Sequence, residues 1–320
     1  MKSKIQSFRN NNPSVIVKKL YILIALISIT AFTNAQTTAT EWFTSAEAKY
    51  KAQDYSGSVK DYDKVISLSP NDADAYFNRG LAKYGLLDDD GAIADYSKSI
   101  ELKAGMYDVY YSRGLAKFMK KKYEDAIIDF NVSLSINAEH AESYIYRGAA
   151  KYFLAKDQEA VTDLDKAIQL KQTVAAAYYY RGLAKYQLLD DQAVIENMDK
   201  AIAIKQNYDY YYTRGLSKYA LKDYNGAMAD HSMAIGLKSD YAEAFTERGL
   251  CYFALSNDKN AISDFTKGLE LKPDQAKAYH FRGLSKNYSG DKTGACTDLK
   301  MADKLGYSAS KEQLVKVGCQ

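Results

Sequence analysis

Residues 73–106 read ADAYFNRGLAKYGLLDDDGAIADYSKSIELKAGM, and the Arg79-Gly80 pair within them returns at Arg113-Gly114, Arg147-Gly148, Arg181-Gly182, Arg214-Gly215, Arg248-Gly249 and Arg282-Gly283. The steps are 34, 34, 34, 33, 34 and 34 residues. A fixed period of this length marks a chain built from stacked copies of one supersecondary unit. Counted from seven residues before each Gly, the blocks are 73–106, 107–140, 141–174, 175–207, 208–241, 242–275 and 276–309. An earlier block, 39–72, fits the same frame with Ala46 in the place of Gly, which makes eight units.

Within this frame each place has its own chemistry. The fourth is aromatic throughout, from Trp42 and Tyr76 to Phe245 and Tyr279. The twentieth is small or short, from Ser58 and Ala92 to Ala295. The twenty-fourth is mostly large: Tyr62, Tyr96, Phe130, Leu164, Met198, His231, Phe265 and Leu299. Each block holds two apolar-periodic stretches, such as Ala73–Leu86 and Asp90–Lys103, each the length of a three- to four-turn helix. At the sixteenth place Asp54, Asp88, Asp190, Asp223, Asn257 and Asp291 can accept from the free N–H groups that open the second helix. Gly at the eighth place costs helix propensity and removes a side chain where two helices approach closely. No helix pair buries its apolar stripe alone, so the units must stack.

The aromatic, Gly, small and large places in this order resemble the tetratricopeptide repeat (TPR) family, and the resemblance spans 39–309. It implies an all-α fold: a right-handed α-solenoid of eight helix-turn-helix units. Two local departures stand out. The family's late Pro survives only as Pro70 and Pro273, and the fifth unit lacks one residue, which we place in the loop around Lys205–Tyr208.

Both ends of the chain depart from the repeat. Residues 1–19 carry Lys2, Lys4, Arg9, Lys18 and Lys19 and no acid. An apolar run from Leu20 to Phe32 follows, then Thr33-Asn34-Ala35-Gln36. This is the form of a secretory signal peptide over 1–35 with cleavage after Ala35, and an uncleaved anchor is the alternative. The run is shorter than the ~20 residues a membrane span needs, so no stable membrane insertion is expected after cleavage. The leader also sets the charge: the chain has 43 basic and 40 acidic residues, or +3, and without those five basic residues the balance is 38 − 40 = −2. A nucleic-acid partner, which wants a basic face on the folded part, is not indicated. After the last unit, Ser310-Lys311-Glu312-Gln313 reads as a capping box opening a short helix, Leu314–Val317, within a C-terminal cap over 310–320. Cys296 and Cys319 are candidates for a disulfide pinning that cap, with two thiols that never meet as the alternative. Cys251, at a place where other units have Ala or Ser, reads as a buried small residue.

Several polar places repeat. Arg at the seventh place and Asp or Asn at the twenty-third (Asp61, Asp95, Asp129, Asp163, Asn197, Asp230, Asp264, Asp298) lie on facing helices. A charge that recurs in every unit serves the stacking, so these read as half-buried ion pairs fixing register rather than as ligand contacts. With Asn197 in place of Asp, Arg181 has less to neutralise it. Lys at the eleventh place, from Lys49 to Lys286, reads as an alkyl stem on the helix with its charge in water. His140, His231 and His280 occupy different places and show no ligand spacing. No catalytic motif stands out, so neither an enzyme nor a cofactor is expected.

What remains is aromatic: 29 Tyr, more than the fourth place uses. In the TPR family the second, fifth, ninth, twelfth and thirteenth places of the first helix face a concave groove. Carried onto this chain, that implies a partner-binding surface of Tyr111, Ile145, Tyr179 and Tyr212 at the fifth place, and Tyr84, Phe118, Tyr152, Tyr186 and Tyr219 at the twelfth. Asp108 and Glu142, with Asp74, Asp209 and Glu243, would give it an acidic edge. Such a surface suits a peptide or protein segment. Packing of the same rings against the next helix is the alternative. The family's carboxylate clamp for chaperone tails is not expected, because Phe, Tyr or Leu fill its places. The functional expectation is a non-enzymatic interaction scaffold, periplasmic or secreted. A self-assembling homo-oligomer and a carbohydrate or peptidoglycan binder are the rivals.

Overall fold

The computed structural model describes residues 38–171 and 173–319, so the leader expected over 1–35 lies outside the described residues. The described chain is helical, with no strand among those residues. Two compact units divide it, up to Ala138 and from Glu139. The first holds α1 (residues 38–51), α2 (Tyr55–Leu68), α3 (Ala73–Gly85), α4 (Asp89–Leu102), α5 (Tyr107–Met119) and α6 (Tyr123–Ile136). The second holds α7 (Ala141–Phe153), α8 (Asp157–Leu170), α9 (Ala175–Gln187), α10 (Asp191–Ile204), α11 (Tyr208–Ala220) and α12 (Tyr224–Leu237). It continues through α13 (Ala242–Ala254), α14 (Asp258–Leu271), α15 (Ala276–Tyr288), α16 (Lys292–Lys304) and α17 (Ala309–Val317). The fold is an all-α solenoid of helix-turn-helix hairpins. Within each unit a helix packs on the next, and the first helices of successive hairpins also touch, as α7, α9, α11, α13 and α15 do in turn.

Local chemistry sets each hairpin. The first helix ends in a Schellman motif: in α3 the Leu87 N–H bonds to the Tyr84 carbonyl and the Asp88 N–H to that of Lys83. The fifteenth place is therefore left-handed in every hairpin, with φ between 55° and 66° at Gln53, Leu87, Lys121, Ala155, Leu189, Lys222 and Ser256, and 88° at Gly290. One residue later Asp54, Asp88, Asp190, Asp223, Asn257 and Asp291 each accept a backbone N–H of the second helix, as the sequence predicts.

The eighth-place Gly admits the large twenty-fourth residue. A Cβ on Gly80 would stand 2.6 Å from the Tyr96 ring, and one on Gly114 would stand 2.8 Å from Phe130. Leu164, Met198, His231, Phe265 and Leu299 fill the same position against Gly148, Gly182, Gly215, Gly249 and Gly283. All seven of these large side chains are buried.

The seventh-place Arg closes the hairpin. Arg113 donates Nε and Nη2 to the two oxygens of Asp129, at 3.0 and 2.7 Å, and the same fork joins Arg79–Asp95, Arg147–Asp163, Arg214–Asp230, Arg248–Asp264 and Arg282–Asp298. A third nitrogen reaches back to the preceding hairpin, from Arg79 to Asp63, Arg113 to Ser97, Arg181 to Asp165, Arg248 to Ser232 and Arg282 to Thr266. Each guanidinium also lies over the fourth-place ring, as Arg79 does over Tyr76 at 5.3 Å. The eleventh-place Lys corrects the sequence reading. Its ammonium is not left in water but, except at Lys185, whose block has Asn197 at the acid's place, bonds to the second carboxylate oxygen: Lys83 to Asp95 at 2.8 Å, Lys117 to Asp129 at 2.7 Å and Lys286 to Asp298 at 2.8 Å. A buried carboxylate holding one fork still has lone pairs to satisfy, and the residue four places after the Arg is in reach.

The C-terminus holds a second correction. The last helix opens at Ala309 with Ser308 as its N-cap and no capping side-chain bond, so residues 310–313 do not form a capping box. Ser310 is instead fully buried, and its hydroxyl bonds to Nδ1 of His280 at 2.8 Å. A disulfide joins Cys296 of α16 to Cys319, with the Cα atoms 5.4 Å apart, and Cys251 is a buried free thiol.

Candidate functional site

The first helices of the second unit form an open trough of about 540 Å³, lined from α7, α9 and α11 and by Tyr241 before α13. The 3.6-residue pitch puts the fifth, ninth and twelfth places of a helix on one side. Tyr179, Leu183 and Tyr186 therefore line it from α9, and Tyr212 and Leu216 from α11. Tyr152 and Phe153 complete the wall from the end of α7. The rings are braced on one another: Tyr152 on Phe153 at 5.2 Å, Tyr179 on Tyr180 at 5.4 Å and Tyr212 on Tyr241 at 5.0 Å. Some stay open, with Phe153 47 % and Tyr186 37 % exposed. Burial holds the phenols of Tyr179, Tyr212 and Tyr241 above their ordinary range, so they stay neutral and can donate hydrogen bonds.

Four of the residues expected at a groove, Tyr152, Tyr179, Tyr186 and Tyr212, thus share one surface. Others do not join it. Ile145 is 2 % exposed and belongs to the core with Ala160, Val161 and Leu164, because small residues around it let it sink between hairpins. Phe118 is buried and meets Tyr123 edge-on at 5.4 Å. Tyr219 packs on Tyr224 at 5.2 Å and against the Leu250 cluster. Tyr84 sits at the margin of the Ala92–Tyr96 core, and Tyr111 lies against Phe130 at 6.1 Å. Asp108 is exposed, and its carboxylate accepts the Val109 N–H. Glu142 is engaged by Lys171 at 2.7 Å, which holds its carboxyl below the usual range.

The sequence frame missed Tyr180 and Tyr241. Tyr241 is the last residue of its block, in a linker where other blocks have Asp72, Met106 or Gln275. The shortened linker lies beside it. Only Lys205, Gln206 and Asn207 separate α10 from α11, where the other linkers of this kind have four residues. Asn207 consequently caps α11 from extended backbone, accepting the Asp209 N–H, whereas Asp72 accepts from the third residue of its helix. At the third place, Tyr210 replaces the small residue of other hairpins such as Ala75 and Ala244, and meets the Tyr179 ring at a tilt, with centroids 4.8 Å apart.

With hairpin geometry and trough in hand, the comparisons are direct. A family model described as "TPR repeat" matches residues 46–86, and a second, "Tetratricopeptide repeat", matches 242–275. The chain carries tetratricopeptide repeats. No curated protein matches this TPR chain in sequence. Among solved structures it is similar to a tetratricopeptide repeat protein from Parabacteroides merdae, at 18 % identity and TM-score 0.55, covering 78 % of this chain and 99 % of that one. Pseudomonas aeruginosa pilF is similar at 16 % identity and TM-score 0.60, covering 66 % and 97 %. YrrB, described as a TPR protein with an unusual peptide-binding site, is similar at 24 % identity and TM-score 0.50, covering 55 % and 92 %. At these identities the likeness establishes the fold.

Among the described residues no cluster of His, Cys, Asp and Glu has the makings of a metal site. None of their helices is long and apolar enough to cross a membrane.

Proposed function

We propose that this TPR chain is an interaction scaffold that binds a peptide or an extended protein segment in the α7–α9–α11 trough. One observation carries the reading: a row of partly open tyrosine rings and leucines lies along successive first helices, where a ligand can lie across several hairpins. Neutral phenols beside apolar faces suit a backbone and its apolar side chains together. The peptide-binding description of YrrB lends support by analogy of fold alone. We place the scaffold outside the cytoplasm. The basic-then-apolar leader supports this, and so does the Cys296–Cys319 disulfide, which suits an oxidising compartment.

The test replaces Tyr186 with a photo-reactive phenylalanine, with exposed Lys200 on α10 as the control, and irradiates living cells that produce the chain. A discrete adduct at position 186 that is absent at position 200 is the expected result. An adduct at twice the chain mass would transfer the trough to self-association. No adduct at either position would overturn the reading.

A further inference from the structure

The second place of several first helices carries an acid, and the thirty-first place of the same block carries Lys. In three blocks the two meet: Lys103 with Asp74 at 3.8 Å, Lys171 with Glu142 at 2.7 Å and Lys272 with Glu243 at 2.9 Å. Block 208–241 has both residues, Asp209 and Lys238, yet no ion pair joins them. Lys238 lies instead over the rings of Tyr208 at 4.7 Å and Tyr241 at 5.0 Å. These rings occupy the first and last places of the block, and most other blocks have Ala at the first. A tyrosine pair at those places thus holds the ammonium short of a direct ion pair with its acid. Asp209 lines the trough with the hydroxyls of Tyr241, at 3.4 Å, and Tyr208 as hydrogen-bond donors, and with Lys238 acting on its charge through space only. It is the one charged residue of the trough lining, and it stands among tyrosine faces. Its burial raises the carboxyl's affinity for a proton, and a cation delivered to it would relieve that cost.

We infer that Asp209, with Tyr179, Tyr212 and Tyr241, forms a socket for a cationic side chain, so that the trough's ligand is a peptide presenting Arg or Lys flanked by apolar residues. The inference rests on the trough reading above and names the chemistry of its ligand. Carboxylate and ring faces reinforce each other, since both attract positive charge and the rings exclude water from around the carboxylate. Arg fits best, because its plane can stack on one tyrosine while its edge donates to Asp209.

The experiment pans a random twelve-residue peptide display library on the full chain and on Asp209→Asn, whose fold is checked by circular dichroism. An enriched peptide is then measured by fluorescence anisotropy with its Arg intact and with Arg replaced by neutral, near-isosteric citrulline. We expect the wild-type chain to enrich basic-apolar peptides. Citrulline should weaken binding about tenfold to wild type, the equivalent of ~1.4 kcal/mol, and less than about twofold to Asp209→Asn. Enriched peptides without a basic residue, or an equal citrulline penalty on both proteins, would overturn the socket and leave the trough standing. No enrichment on the wild-type chain would remove both.

Discussion

Hairpin 107–140 and hairpin 175–207 are copies of one plan that treat the same charges differently. In the first, Asp129 gathers Arg113 and Lys117, and all its oxygens are committed inside the hairpin. In the second, Asn197 takes that place. Arg181 gives it a single bond at 2.8 Å, and Lys185 turns to Asp190 at 3.2 Å. The second hairpin is also the one whose linker is a residue short, and its first helix forms a wall of the trough. The departures from the repeat coincide with the candidate site, while places held constant serve stacking. A stacked repeat lends itself to this division, because each hairpin touches only its neighbours and a local change need not spread.

The largest expected effect contrasts the two charge schemes. Asp129→Ala strands a half-buried guanidinium and an ammonium, and should cost about 3–4 kcal/mol. Asn197→Ala removes a neutral partner whose Arg keeps Asp165, and should cost about 1 kcal/mol. Urea denaturation of both variants reads the difference. Equal losses would mean that the hairpins are held by their apolar contacts alone.

Much of this was legible in the sequence. The period gave the hairpins, Gly80 to Gly283 gave the close approach, and the alignment of Arg with Asp gave the ladder. A repeated place reveals a shared environment but not a partner's geometry. Lys117 could lie in water or on Asp129, and only the crossing of α5 and α6 decides between them. Ser310 looked like a cap because Glu and Gln follow it, but His280 had already claimed its hydroxyl. The aromatic surface was half legible. Tyr179 and Tyr212 occupy groove places, whereas Tyr241 sits in a linker and enters the trough only because the chain turns there.

A second contrast concerns the large residue that fills the hairpin. Phe130 and Phe265 hold this place elsewhere, but hairpin 208–241 has His231, fully buried, with neither ring nitrogen hydrogen-bonded. Burial lowers its pKa to about 4 from the usual 6.5. Between those values the unfolded chain binds a proton that the folded chain refuses. The contribution is therefore complete above pH 6.5 and is lost as the pH falls towards 4, by about 3 kcal/mol. His231→Phe should flatten that part of the stability–pH curve relative to the wild-type chain. Parallel curves would show that the imidazole gains a proton without unfolding its hairpin.

The smallest effect sharpens the comparison most, because it tests the same backbone contact against a stiff and a yielding neighbour. In Gly114→Ala the new methyl meets the Phe130 ring at 2.8 Å and the Asp129 Cβ at 3.2 Å. Phe130 is fully buried and cannot turn aside, so overpacking of about 2–3 kcal/mol should outweigh the ~1 kcal/mol gained in helix propensity. In Gly182→Ala the methyl meets the Asn197 Cβ at 3.3 Å, much as at Gly114, but its nearest contact is the terminal methyl of Met198, equally buried yet the far end of an unbranched, flexible side chain. There the two terms should cancel to within about 0.5 kcal/mol, as thermal melts of the pair would show. If both variants lose the same stability, the limit is the helix-to-helix backbone distance, shared by all hairpins, and the fifth hairpin is no softer than the rest. If only Gly114→Ala is destabilised, the hairpin beside the trough has a core that can adjust while that of hairpin 107–140 cannot, which is what a wall that accommodates a ligand requires.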